Sequence, residues 1–228
     1  MTEATHDNAA VRRHDINAQI ASAAKLARRE AAEIELIAVS KTRDAEAIRP
    51  LLDAGHRAFG ENRVQEAQAK WPELRADFPD TKLHLIGQLQ SNKAEEAVAL
   101  FDYIHSLDRL SLAKALGKAM REQNRNVLCF IQVNIGDEPQ KGGCMVGDLS
   151  DLISATQAEG IAIAGLMCLP PADIEPAPYF ALLAELAARH SLSGLSMGMS
   201  DDFPTAIMLG ATHVRVGTAL FGERARAL

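Results

Sequence analysis

The strongest constraint in this sequence is an alternation. Short apolar runs are followed by helical stretches whose apolar residues fall three or four apart, and the pair recurs along the chain. Strands are predicted at 34–40, 57–60, 82–87, 103–106, 126–133, 161–167, 193–196 and 213–216, the fifth being the longest. Helices are predicted between them at 45–54, 63–71, 91–100, 110–123, 147–159, 178–190 and 202–209, with Asp44 capping the first. A further helix leads the chain at 10–31, where Ile16, Ile20, Ala24 and Ala27 recur opposite charged residues. Strand–helix units of this kind build either an open doubly wound sheet or a closed (β/α)8 barrel. Eight strands favour closure, so the expected fold is α/β, a TIM-type barrel with an extra N-terminal helix. One domain is expected over 1–228, with 10–31 as the leading helix and 34–228 as the barrel.

Composition narrows the function. Formal charge is −6, which supplies no general attraction to nucleic acid or to an anionic membrane. The cysteines Cys129, Cys144 and Cys168 are odd in number and lack CxxC spacing, which disfavours a disulfide framework or a zinc knuckle and fits a reducing compartment. Residues 1–9 are polar, without the apolar segment of a signal peptide, and no apolar run approaches the ~18 residues of a membrane span. A cytoplasmic protein is expected, and a monomer. HExxH, HxH, GxGxxG and GxxxxGK are all missing, so zinc, dinucleotide and P-loop chemistry have no motif to carry them.

Three places could carry chemistry. Lys41 shares a strand face with Ile37 and Val39, so a barrel would aim its amine at the C-terminal mouth, where desolvation can make a lysine nucleophilic toward aldehydes. The stretches 196–202 and 213–218 each set Gly beside Ser or Thr between a strand and a helix, where backbone N–H groups can approach an anion. Asp201 and Asp202 would repel that anion unless they cap the helix and face away. Arg215 shares the inward face of the last strand with His213 and Gly217, and a cation there needs a ligand or a partner such as Glu61. His84 and His105 read as satisfied core residues. The loops 134–146 and 168–177 follow strands and would stand on the same rim.

Taken together, IAVSKT at 37–42, FGENRVQE at 59–66, HLIGQLQSNK at 84–93 and IHSLD at 104–108 form a specific pattern. It continues with QVN at 132–134, EPQK at 138–141, LSMGMSDD at 195–202 and GATHVRVG at 210–217. The chain closely resembles the pyridoxal phosphate homeostasis protein family, relatives of the alanine racemase N-terminal barrel. The resemblance implies a fold-type III barrel that binds pyridoxal 5′-phosphate (PLP), with Lys41 forming the Schiff base. It implies that Ser196, with backbone groups of Gly217 and Thr218, holds the phosphate, that Met197 and Ser200 share that loop, that Asn62 lies near the ring, and that Arg215 faces the pyridine nitrogen. Arg63 departs from the tyrosine that many members carry after Gly-Glu-Asn, and Lys93 and Lys141 match family lysines. The implied role is to store, deliver or buffer PLP without catalysis, with apo PLP-dependent enzymes as recipients and no second domain to close the mouth. The alternatives are a fold-type III enzyme such as an amino-acid racemase, and a barrel enzyme acting on another phosphorylated metabolite.

Overall fold

Every expected strand is present, and their order settles the choice between open and closed sheets. The computed structural model describes residues 2–222, with side chains described from Ala9 onward. The strands are β1 (Glu35–Val39), β2 (Ala58–Glu61), β3 (Lys82–Leu85), β4 (Tyr103–Leu107), β5 (Leu128–Gln132), β6 (Ile163–Met167), β7 (Gly194–Ser196) and β8 (His213–Val216). Each pairs in parallel with the next, and β8 pairs back onto β1, Leu36 lying opposite Val214 and Ile37 opposite Arg215. The sheet is therefore a closed eight-stranded barrel.

The helices are α1 (Thr2–Leu26), α2 (Ala45–Asp53), α3 (Val64–Asp77), α4 (Ala94–Leu100), α5 (Leu110–Gln123), α6 (Leu149–Ala158), α7 (Ala177–Arg189), α8 (Phe203–Met208) and α9 (Thr218–Phe221). Asp44 caps α2 as expected, its carboxylate accepting from the Ala47 N–H at 2.9 Å. The alternation of side chains along each strand separates two interiors. Leu36, Ala38, Phe59, Leu83, Ile104, Ile131, Leu166 and Val214 face outward and join the helices in one apolar layer. Ile37, Ala58, Phe130 and Met167 are buried apart from that layer, inside the barrel. There they share the space with His84, His105, Ser196 and Arg215, all of them buried.

Element boundaries differ from expectation where tertiary contact overrides local pattern. The leading helix runs over Thr2–Leu26, not 10–31; Arg28, at φ 57°, turns the chain out of it. Helix α3 continues through Pro72 to Asp77, because buried Trp71 and Leu74 anchor its last turns and offset the hydrogen bond that proline removes. Strand β5 is no longer than β1, β4 or β6: Val133 is drawn into an isolated bridge with Cys144 instead of the ladder. Helix α9 was not expected. Residues 223–228, the end of the expected barrel domain, lie outside the described residues. Among the described residues, Cys129, Cys144 and Cys168 are free and buried, their thiols pushed up to about 12 by burial, and no helix is long and apolar enough to cross a membrane.

Candidate functional site

A cavity of about 690 Å³ opens at the ends of the strands where βα loops gather. That volume suits a small cofactor or metabolite. Its wall comes from distant parts of the chain: Lys41 after β1, Asn62 after β2, Gln132 ending β5, Ser200 after β7, and Arg215 and Thr218 at β8 and beyond.

Lys41 stands in a tight turn that other elements hold in shape. Thr42 has φ 62°, a left-handed conformation that is costly for a β-branched residue. Helix α3 supplies the restraint. The Thr42 N–H donates to Glu66 Oε1 at 2.5 Å, and the Lys70 ammonium donates to the carbonyls of Ser40 and Arg43, both at 2.9 Å. Lys70 also pairs with Glu61 at 2.9 Å and with Glu66 at 3.0 Å. Glu61, fully buried, accepts from the Ser40 hydroxyl at 2.6 Å and from the Trp71 indole at 3.0 Å. Burial pushes the Glu61 carboxyl up, against the pull of Lys70 and these donors. The Lys41 amine itself carries no hydrogen bond or ion pair among the described residues and borders the cavity.

Arg215 forms the floor. Its guanidinium donates to the Ser196 carbonyl at 2.9 Å, the Ser196 hydroxyl at 2.7 Å and the Cys168 carbonyl at 2.9 Å. No carboxylate touches it, so the expected pairing with Glu61 does not occur; Glu61 lies on the outer face of β2, where Lys70 reaches it. A buried guanidinium whose neighbours are neutral oxygens is suited to an uncharged or anionic ligand group above it.

Six of the expected site residues border this cavity: Lys41, Asn62, Ser200, Arg215, Gly217 and Thr218. Ser196 and Met197 do not. Both are fully buried below it, because the alternation of β7 points Ser196 into the barrel interior, where Arg215 takes its hydroxyl. Asp202 does not cap α8; its carboxylate folds back to accept from the Met199 N–H at 2.6 Å, while Asp201 borders the cavity. Lys93 pairs with Glu96 at 3.0 Å, and Lys141 with Glu138 at 2.6 Å; neither borders the cavity. Lys141 also donates to the Pro170 carbonyl at 2.9 Å, joining the two rim loops, of which the second contributes Leu169 to the cavity.

Sequence reasoning missed Ile86, Gly87, Gln88, Gln132 and Met199. A signal was present for Gly87, in a motif already noted: a Cβ there would stand 2.3 Å from the Asn62 carbonyl oxygen, so only glycine lets the two loops meet. Gln88 and Gln132 bond to each other at 2.7 Å across the mouth, a contact that sequence spacing could not reveal.

Comparison with known proteins agrees with this fold. The family described as "Alanine racemase, N-terminal domain" matches residues 12–225. The Pyridoxal phosphate homeostasis protein of Pseudomonas aeruginosa is 42% identical over 92% of this chain and 93% of its own length. The protein of the same name from Escherichia coli is 36% identical over 98% of each. PipY of Synechococcus elongatus, solved with PLP bound, is 43% identical with a TM-score of 0.79, over 89% of this chain and 100% of that one. Alanine racemase of Clostridium difficile, 16% identical with a TM-score of 0.70, shares the fold over 96% of this chain but only 57% of its own. The chain therefore belongs to the alanine racemase N-terminal domain family and, within it, to the pyridoxal phosphate homeostasis proteins.

Proposed function

We propose that the cavity binds PLP and that the protein stores, delivers or buffers this cofactor instead of turning over a substrate with it. One observation carries the reading: a single cavity is bordered by an unpaired lysine amine, Lys41, and by a guanidinium, Arg215, that has only neutral partners. The donor set fits the group. Lys41 would hold the aldehyde covalently, and the Ser200 and Thr218 hydroxyls with the Gly217 backbone would take the phosphate. Asn62 would border the ring, and Arg215 would meet the ring nitrogen. When bound, PLP supplies a reactive aldehyde conjugated to an electron-accepting ring.

Two features favour holding over turnover. A fixed cation against a pyridine nitrogen disfavours protonation of that nitrogen, which weakens the ring as an electron sink. The titratable side chains that border the cavity, among the described residues, are Lys41, Asp201 and Arg215, which is a poor supply of the opposed bases that racemisation needs. The names of the homeostasis relatives and the PLP-bound PipY support the same reading. Apo PLP-dependent enzymes are the proposed recipients.

The test is borohydride trapping after PLP is added, with the modified peptide identified by mass spectrometry, followed by incubation of the untrapped complex with an apo PLP enzyme. Label on Lys41, its loss in Lys41→Ala, and recovery of the apo-enzyme's activity are expected. No label on Lys41, or steady racemisation of an amino acid at rates near ~1 per second or above, overturns the proposal.

A further inference from the structure

The barrel interior carries a file of polar groups that the cavity does not use. Below Arg215, the Ser196 hydroxyl lies 2.8 Å from His105 Nδ1, and His105 Nε2 lies 3.0 Å from His84 Nδ1. His84 Nε2 faces Glu35 Oε2 at 3.6 Å, and Glu35 begins β1, at the end of the barrel opposite the cavity. Ser196, His105 and His84 are fully buried, while Glu35 keeps partial exposure. Tyr103 stacks on His84 and Phe130 on His105, each with ring centroids 4.4 Å apart, so both imidazoles are fixed in orientation.

Donor accounting gives this file one direction. A guanidinium can only donate, so the Ser196 oxygen accepts from Arg215 at 2.7 Å. The Ser196 oxygen has a second lone pair, so His105 Nδ1 could donate to it or accept its proton; the carboxylate at the far end decides, and the Ser196 proton goes to an unprotonated His105 Nδ1. His105 carries its proton on Nε2 and donates to His84 Nδ1; His84 carries its own on Nε2, toward the carboxylate. The opposite assignment would leave the bare Nε2 of His84 facing the Glu35 carboxylate, two acceptors with no proton between them.

We infer that Ser196, His105 and His84 form a one-way hydrogen-bond chain, directed by the Glu35 carboxylate 3.6 Å beyond its end, that positions the Arg215 guanidinium at the cavity floor. The chain keeps a lone pair of Ser196 turned to Arg215 and lines up its dipoles so that the distant carboxylate serves as the counter-charge of a buried cation. Protonating either imidazole would reverse a bond in the chain. Burial opposes that protonation, holding His84 at about 3 and His105 well below its usual value. His213 also meets Glu35 at 3.3 Å and Lys82 meets it at 3.5 Å, so the carboxylate is oriented from several strands. These are positioning residues: they act on a bound group only through Arg215.

The experiment has two arms, and only the second rests on the PLP reading. In the ligand-free full-length protein, 15N NMR of the histidines is expected to show His84 and His105 neutral and protonated at Nε2. A dominant Nδ1–H form, or an imidazolium, at neutral pH overturns the chain. In the second arm Glu35→Gln, a change at the far end of the barrel, is expected to disturb those tautomers, alter the visible spectrum of bound PLP and speed its release by about three- to tenfold, with Glu35→Asp recovering most of the difference. Disturbed tautomers with an unchanged spectrum and release rate overturn the positioning role. If Glu35→Gln does not fold, Ser196→Ala with rescue by Ser196→Thr reads the same quantities. Absence of any PLP spectrum in the wild type is a failure of the proposed function, and the tautomers then decide the chain alone.

Discussion

Two serines four residues apart illustrate how position on a strand divides roles. Ser200 stands on the loop after β7 and borders the cavity, free to meet an anionic group. Ser196 is committed to Arg215 and His105 and is fully buried. A hydroxyl donating to phosphate is a charge-assisted bond, worth about 1.5–3 kcal/mol. Ser200→Ala is therefore expected to weaken PLP binding about tenfold or more while leaving binding of pyridoxal, which lacks the phosphate, little changed. Ser196→Ala is expected to weaken both ligands alike, because it acts through Arg215. Equilibrium binding of the two ligands to each variant measures the ratio; a phosphate-selective loss in Ser196→Ala would return the phosphate contact to that residue. The motif LSMGMSDD contains both serines, but only the inward phase of β7 assigns them.

At the scale of elements, α3 is the brace of the β1–α2 turn. It presents Glu66 and Lys70 one helical turn apart, so one face of the helix reaches the backbone on both sides of Lys41 and the buried carboxylate of Glu61. Removing the cation leaves that carboxylate unpaired in the interior, a change that costs about 3–5 kcal/mol. Lys70→Met is expected to lower the unfolding free energy by that amount and to slow borohydride-trappable labelling of Lys41, since the turn with Thr42 in its left-handed conformation loses its tether. Adding Glu61→Gln should restore part of the stability, because the unpaired charge is gone, without restoring the turn. Urea denaturation and labelling kinetics measure the two effects, and a Lys70→Met protein as stable as wild type would refute the brace. The strands and helices themselves were legible, since amphipathic periodicity is local. The brace was not: Lys70 and Glu66 read only as polar positions on an exposed helix face.

For the whole molecule, the buried imidazoles set a pH limit. Burial holds His56 at about 4, His84 at about 3 and His105 well below 6.5, so all three are neutral in the folded protein. The unfolded chain takes up protons on them as pH falls below 6.5, and the folded chain does not until near its own depressed values. Stability is therefore lost as pH falls through that window. Burial alone would raise Glu35, but the hydrogen bond from His213 and the charges around it hold it at about 2, so its contribution is lost as pH falls from 4.5 toward that value. Each histidine contributes about 1.4 kcal/mol between pH ~7.5 and ~5.5, so the three together are expected to cost about 4 kcal/mol. Denaturant titrations at the two pH values measure this; equal unfolding free energies would show that the imidazoles are protonated or exposed in the native state.

The eight strands, the helices between them, the parallel sheet they build and the end of the barrel where Lys41 would stand were legible in the sequence, whereas the short helix α9 was not. These follow from local periodicity and from the rule that such units close with their βα loops on one rim. Which side chains share a wall came from the folded barrel alone. Arg215 meets Ser196 and the Cys168 carbonyl rather than Glu61, Lys70 reaches inward to the Lys41 turn, and Leu169 joins the cavity from a separate loop. The reason is closure: pairing β8 to β1 sets the register of the whole barrel, and that register brings residues far apart in sequence into contact across its interior.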